Sequence, residues 1–134
     1  MFSDIPFSSL CIVFMKHPIT IALDVMGGDQ GPRAAIAGAA RALSLNPRLR
    51  FMLFGRAHEI EAELAHTPAL RDVSTIHHTD VMIAAHEKPS VALRQGRDSS
   101  MRKAIESVSR GEADCIVSSG NTGALMATAK IILK

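Results

Sequence analysis

Two glycine turns in this 134-residue sequence have the residue types to hold an anion. Ile19–Val25 is β-branched and apolar and breaks at Gly27-Gly28, followed by Asp29-Gln30-Gly31-Pro32. Cys115–Val117 stops as abruptly at Ser118-Ser119-Gly120-Asn121-Thr122-Gly123, and an apolar helix pattern begins there. A strand that ends in a tight turn and opens a helix leaves backbone N–H groups unpaired. With the helix dipole these form an anion site, most often for phosphate. Small side chains let the anion approach closely. Parallel sheets bind ligands beyond the carboxyl ends of their strands, where both turns fall. Neither turn is GxGxxG with a downstream acid, and no Gly-Lys-Ser/Thr occurs. Each is equally compatible with a plain strand–helix connection.

Charged and polar partners are available for such a site. Arg94, Arg97, Arg102 and Lys103 could supply positive charge, with Ser99 or Ser100 capping the helix that carries Arg102. The bland alternative is a solvated basic face. Asp24 and Asp29 flank the first turn. A metal, a ligand hydroxyl or the following helix would each suit them, and a magnesium site lacks a third ligand. The six histidines show no HExxH or other ligand spacing. Cys115 reads as a buried strand residue with no neighbour to lower its pKa.

Four apolar strand patterns alternate with helical ones: Ile19–Val25, Phe51–Phe54, Val73–His77 and Cys115–Ser118. Helices are expected from Pro32 to Leu43, Ala57 to Ala65, Ser99 or Ser100 to Gly111, and Thr122 onward. Val91–Arg94 reads as a helical turn or two, and His78–Lys88 has no assignable pattern. This order argues an α/β fold, a doubly wound, mostly parallel sheet with helices on both faces. The closing helix is apolar around most of its circumference, so burial on more than one side is expected. It has no cap, so the sequence reads as cut.

Composition narrows the classes. Net charge is +2, Trp and Tyr are absent, and no basic stripe interleaves with aromatics, which argues against nucleic acid. No segment is long and apolar enough to span a bilayer. Two cysteines without ligand spacing, with Cys115 read as a buried strand residue, suggest a reducing, cytoplasmic setting. Residues 1–18 read as an N-terminal extension, disordered or started upstream of Met15; residues 19–134 read as one domain portion.

Three motifs carry a resemblance. Ile21-Ala22-Leu23-Asp24-Val25-Met26-Gly27-Gly28-Asp29-Gln30-Gly31-Pro32 resembles the opening signature of the PlsX family, the acyl-(acyl carrier protein):phosphate acyltransferases. Lys88-Pro89-Ser90-Val91-Ala92-Leu93-Arg94, with Asp98-Ser99-Ser100-Met101-Arg102, matches its middle block. Ser118 to Ala127 matches its Ser-Ala-Gly-Asn-Thr-Gly-Ala-Leu-Met block, with Ser119 in place of Ala. The resemblance implies an isocitrate/isopropylmalate dehydrogenase-like fold, present here as its N-terminal portion. It implies acyl transfer from acyl carrier protein to inorganic phosphate, giving acyl phosphate for phospholipid synthesis, without metal or organic cofactor. It further implies a homodimer, a membrane glycerol-3-phosphate acyltransferase partner, and a place in the cytoplasm at the inner face of the membrane. Within that frame Asn121, Arg102 and Asp24 are the expected catalytic residues. Gly27, Gly28, Asp29, Gly31, Arg94, Ser99, Ser100, Ser118, Gly120, Thr122 and Gly123 are the expected phosphate and substrate contacts. Two other readings stand beside it: an inactive truncated fragment or interaction domain, and a nucleotide- or phosphometabolite-binding α/β module.

Overall fold

A computed structural model describes residues 17–134; the expectation for the N-terminal extension falls, up to residue 16, outside the described residues. The elements follow the expected order. Strand β1 (Ile19–Asp24) leads through the first glycine turn to helix α1 (Gly31–Leu45). Strand β2 (Leu49–Gly55) is followed by α2 (Ala57–Leu64) and the short α3 (Pro68–Arg71). Strand β3 (Ser74–His78) runs into a loop, then α4 (Pro89–Gln95) and α5 (Ser100–Ser109). Strand β4 (Cys115–Ser118) feeds α6 (Thr122–Ile132) through the second glycine turn.

Among the described residues the four strands form one sheet in the order β3-β2-β1-β4, and every pairing is parallel. The side-chain period of two divides the sheet into faces. Leu23, Phe51 and Leu53 pack with Ile36, Ala39, Ile60, Leu64 and Leu70 of α1, α2 and α3. Ala22 and Phe54 turn to the opposite face, against Ala104 of α5. Met101 and Ile105 of α5 then meet Ala92 of α4 and Ala124 of α6. The sheet is doubly wound. Its first three strands progress to one side, and the chain then crosses back to lay β4 on the other side of β1. The switch point lies between the carboxyl ends of β1 and β4, where an open α/β sheet takes its ligands.

The unassignable stretch after β3 is a loop held by side chains rather than by regular pairing. Thr79 Oγ1 donates to the Asp98 carbonyl at 2.6 Å, and the Ser100 amide donates to the Val81 carbonyl at 3.0 Å. Ser99 caps α5, as its position suggests: its Oγ accepts from the Arg102 amide at 3.3 Å. Gly111, at φ +72°, follows the helix C-cap Arg110, a left-handed position that suits glycine.

Two expectations need correction. Cys115 is exposed, not buried. Among the described residues strand β4 pairs only with β1, and on this edge strand both Cys115 and Val117 reach solvent. The closing helix buries one side only. Ala124 and Thr128 are enclosed, while Met126 is 67% exposed and Ile131 48%. Burial of Cys115 was the premise for the reducing setting, so that argument lapses.

His77 supplies a pH test of the fold. Its ring stacks on Phe54, the residue beside it on β2, with centroids 4.7 Å apart. Burial lowers its pKa from 6.5; Glu112 opposes the shift and Arg110 adds to it. The unfolded chain therefore binds this proton more readily than the folded one. The stabilising contribution is present above pH 6.5 and is lost as pH falls toward the folded pKa. Urea midpoints of wild type and His77→Phe should diverge on acidification from pH 7.5 to 5.5, the wild type losing more. Parallel curves would remove His77 as the cause.

Candidate functional site

Asp24 is the last residue of β1 and faces the α5 side, as does Ala22 two residues earlier. It is only 2% exposed, and no cation among the described residues pairs with it. Two hydroxyls serve it instead. Ser100 Oγ donates to Asp24 Oδ1 at 2.6 Å, and Ser118 Oγ donates to Oδ2 at 2.8 Å. Ser118 Oγ in turn accepts from the Gly120 amide at 3.1 Å. One carboxylate thus ties the ends of β1 and β4 to the start of α5.

The two glycine turns sit against each other over this network. A Cβ on Gly27 would stand 2.8 Å from the Gly120 nitrogen and 2.9 Å from Asp24 Oδ2. Ser119 Oγ donates to the Gly27 carbonyl at 3.0 Å. Gly28 has φ +85°, and a Cβ there would lie 2.6 Å from Ser119 Oγ. Between the first turn and α1 lies a cavity of about 260 Å³, walled by Gly27, Gly28, Asp29, Gln30, Gly31, Ala34 and Ser119. Gln30 stands at the N-cap of α1 but makes no side-chain cap bond. The amides of that first turn are therefore not closed off by their own cap.

The expected residues divide into three groups. Gly27, Gly28, Asp29 and Gly31 line the cavity. Asp24, Ser100, Ser118 and Gly120 form the hydrogen-bonded layer against which Gly27 packs. The others lie outside the cavity wall and this layer. Ser99 is enclosed, and its Oγ donates to the Gly96 carbonyl at 2.7 Å. Arg102 Nε pairs with Glu106 Oε1 at 2.9 Å along α5, an i,i+4 arrangement legible in the sequence once Glu106 is weighed. Arg94 is exposed, with Nε 3.4 Å from the Ser90 carbonyl. Thr122 and Gly123 are exposed in the first turn of α6, and a Cβ on Gly123 would meet Pro89 Cγ at 3.0 Å.

Asn121 spends its whole amide on structure. Its Oδ1 accepts from the Ala124 amide at 3.0 Å, capping α6. Its Nδ2 donates to the carbonyls of Ala84 and Glu87 at 3.1 and 2.7 Å. The second glycine turn is thereby fastened to the loop between β3 and α4. Loss of an N-cap costs about 1–2 kcal/mol, and two carbonyls lose a donor as well. Asn121→Ala should therefore lower stability by about 2–3 kcal/mol and speed hydrogen exchange in residues 80–88. A loop with unchanged exchange would refute the tether.

Sequence reasoning passed over Gln30, Ala34 and Ser119 of the cavity wall. Ser119, set aside as a small replacement, both bridges the turns and walls the cavity. Arg33 lies in the first turn of α1 with its side chain exposed, adjacent in sequence to Ala34 of the wall. A basic residue directly after Gly31-Pro32 was the available signal. The charge in the wall itself is Asp29, which is negative and exposed. Among the described residues no group of three or more His, Cys, Asp or Glu could hold a metal ion. No helix there is long and apolar enough to cross a membrane.

Cys115 does not have the features of a nucleophile. Desolvation first, and then the charge of Asp114, raise its pKa. A raised pKa leaves less thiolate.

Residues 19–134 match the model of the family described as fatty acid synthesis protein. The chain belongs to this family. Among its curated relatives, the phosphate acyltransferase of Beijerinckia indica is 55% identical over 121 residues, which cover 90% of this chain and 31% of that protein. The phosphate acyltransferase of Rhodopseudomonas palustris strain HaA2 is 56% identical over 121 residues, covering 90% and 34%. That of Paramagnetospirillum magneticum is 48% identical over 120 residues, again covering 90% and 34%. The chain spans about a third of the length of these relatives.

Proposed function

We propose that residues 19–134 form the N-terminal portion of a phosphate acyltransferase unit and carry its phosphate site. The reaction is acyl transfer from acyl carrier protein to inorganic phosphate. A phosphate oxygen attacks the thioester carbonyl carbon, the C–S bond breaks, and the thiolate of the carrier leaves. The products are an acyl phosphate and free carrier protein. No metal or organic cofactor takes part in this scheme.

The cavity at the switch point between β1 and β4 carries this reading. Both glycine turns reach it, and it opens at the uncapped start of a 15-residue helix. Unpaired amides at a helix start attract an anion, and Arg33, exposed in the same first turn but outside the wall, is a source of positive charge. Asp29 opposes this, and its exposure lets solvent screen the repulsion. Holding phosphate against the thioester contributes by positioning, worth up to about 7–11 kcal/mol in ideal cases. In this scheme Asp24 acts as a positioning residue through Ser100 and Ser118. Asn121 holds the second turn, and Arg102 stays with Glu106 unless substrate draws it away. The names of the relatives support the chemistry, and their length supports a larger unit.

Phosphorus NMR titration of the 134-residue chain tests the site. Saturable broadening of the phosphate signal, lost in Arg33→Ala, is expected. Absence of saturable binding would refute the phosphate site. An assay for phosphate-dependent thiol release from acyl carrier protein tests the reaction in a full-length relative, where Ser119 or its counterpart can be varied.

A further inference from the structure

The wall of the glycine cavity mixes donors with acceptors, and the mixture bears on which anion fits. The donors are amides at the start of α1, which Gln30 leaves without a side-chain cap; Pro32 adds none, having no N–H. Two side chains of the wall supply acceptors. Asp29 stands in the wall and is exposed, and an ionised carboxylate accepts hydrogen bonds but donates none. Ser119 Oγ has committed its hydrogen to the Gly27 carbonyl at 3.0 Å, so this hydroxyl has only lone pairs left to offer. Among the described residues Asp29 enters no ion pair. An anion made of acceptors alone meets the amides well and these two side chains badly.

We propose that Asp29 is the specificity-determining residue of this site: its carboxylate accepts the hydrogen of a P–O–H group, so the cavity takes a tetrahedral oxyanion that carries a proton and turns away one that does not. The proposal rests on the phosphate site argued above and adds to it a basis for choosing among anions. Inorganic phosphate keeps at least one P–O–H group at neutral pH, whether as the monoanion or the dianion. Sulfate has the same tetrahedral shape and, beside the phosphate dianion, the same charge, but it has no hydrogen. The amides of α1 attract both anions alike. A carboxylate separates them, because the oxygen that hydrogen-bonds a P–O–H group repels a sulfate oxygen. Discrimination of this kind comes from the penalty on the wrong ligand as well as from the contact with the right one. For a fully ionised anion, a donor side chain at position 29 would serve better than an acceptor.

Competition against the broadened phosphorus signal of phosphate reads the preference, on the 134-residue chain at mildly alkaline pH and constant ionic strength. Arsenate keeps an As–O–H group and should displace phosphate at a similar concentration. Monofluorophosphate has P–F in place of P–O–H at the charge of the phosphate dianion. It and sulfate should each need about tenfold more, the low end for a hydrogen bond to a charged group because Asp29 is exposed. Asp29→Asn keeps the size of the side chain and brings N–H donors that suit any oxyanion. At an exposed position it should fold, which an unchanged urea midpoint checks. In this variant the gap between phosphate and sulfate should close to about threefold or less. The ratio is the readout, so a general change in affinity does not mimic the effect. Sulfate that competes as well as phosphate in the unaltered chain overturns the proposal and leaves a site for oxyanions in general. A preference that persists undiminished in Asp29→Asn overturns it as well, and places the choice on another group. If no oxyanion binds saturably, the phosphate site falls and the proposal falls with it.

Discussion

Asp24→Ala should lower the stability of this chain by about 2–4 kcal/mol. The carboxylate is the shared acceptor of Ser100 Oγ and Ser118 Oγ, and Ser100 is only 1% exposed. Removing it leaves two hydroxyls without their acceptor, at about 1–3 kcal/mol each. Relief from burying a charge offsets part of this, which is why the expected total is below the upper sum. Asp24→Asn separates shape from charge. It keeps the volume and one oxygen acceptor, and its amide can donate to Ser118 Oγ if that hydroxyl turns. A loss near 1 kcal/mol is expected for it. Urea unfolding with an unchanged m-value measures both. If Asp24→Ala shifts stability by less than about 0.5 kcal/mol, the carboxylate does not hold the strand ends, and its burial needs a ligand to explain it. The same variant should weaken phosphate binding, because both turns lose their common anchor.

The second large effect concerns the glycines, and it separates three positions that look alike in the sequence. Gly28→Ala meets two obstacles. The φ of +85° is strained for any residue with a Cβ, and the new carbon would lie 2.6 Å from Ser119 Oγ. A left-handed φ costs about 1–2 kcal/mol, and overpacking typically costs about 1–3. A total of about 2–4 kcal/mol is expected. Adding Ser119→Ala removes the close hydroxyl but not the strain, so the double variant should recover about 1 kcal/mol and no more. Gly31 also has a positive φ, +59°, yet nothing lies within 4 Å of its Cβ position. Gly31→Ala should therefore cost only the strain, about 1–2 kcal/mol. Gly27 reverses the cause: its φ is not positive, and its Cβ would press on the Gly120 backbone at 2.8 Å. Backbone cannot rotate aside as a side chain can, so Gly27→Ala must separate the turns. Equal losses at all three positions would contradict the packed-turn arrangement.

Much of this architecture was legible because its causes are local. Four apolar runs ending at glycine or polar residues mark the strands, and apolar residues at i, i+3, i+4 and i+7 mark α5. Ser99 and Ser100 both read as caps by their chemistry, and the structure selects Ser99, whose Oγ accepts from the Arg102 amide. The family motifs were visible for the same reason, being contiguous stretches. The loop after β3 was not legible. It has no period, and its anchors Asp98 and Asn121 lie far from it in sequence.

By itself, the sequence determined that this chain alternates strand and helix, turns twice on glycine at strand ends, and carries the family's motifs. Tertiary structure decided what those residues do. Among the described residues the order β3-β2-β1-β4 makes β4 an edge, and there Cys115 is exposed, although its neighbours in sequence suggest a core strand. Asp24 lies 76 residues from Ser100 and 94 from Ser118, and only the β1–β4 pairing brings the three together. Arg102 and Asn121 looked available for an anion, yet each has partners already, Glu106 for one and the Ala84 and Glu87 carbonyls for the other. Local propensity depends on a residue and its few neighbours, so it can be read along the chain. Exposure and hydrogen-bond satisfaction depend on which distant segment arrives beside it, and that is settled only when the sheet is assembled.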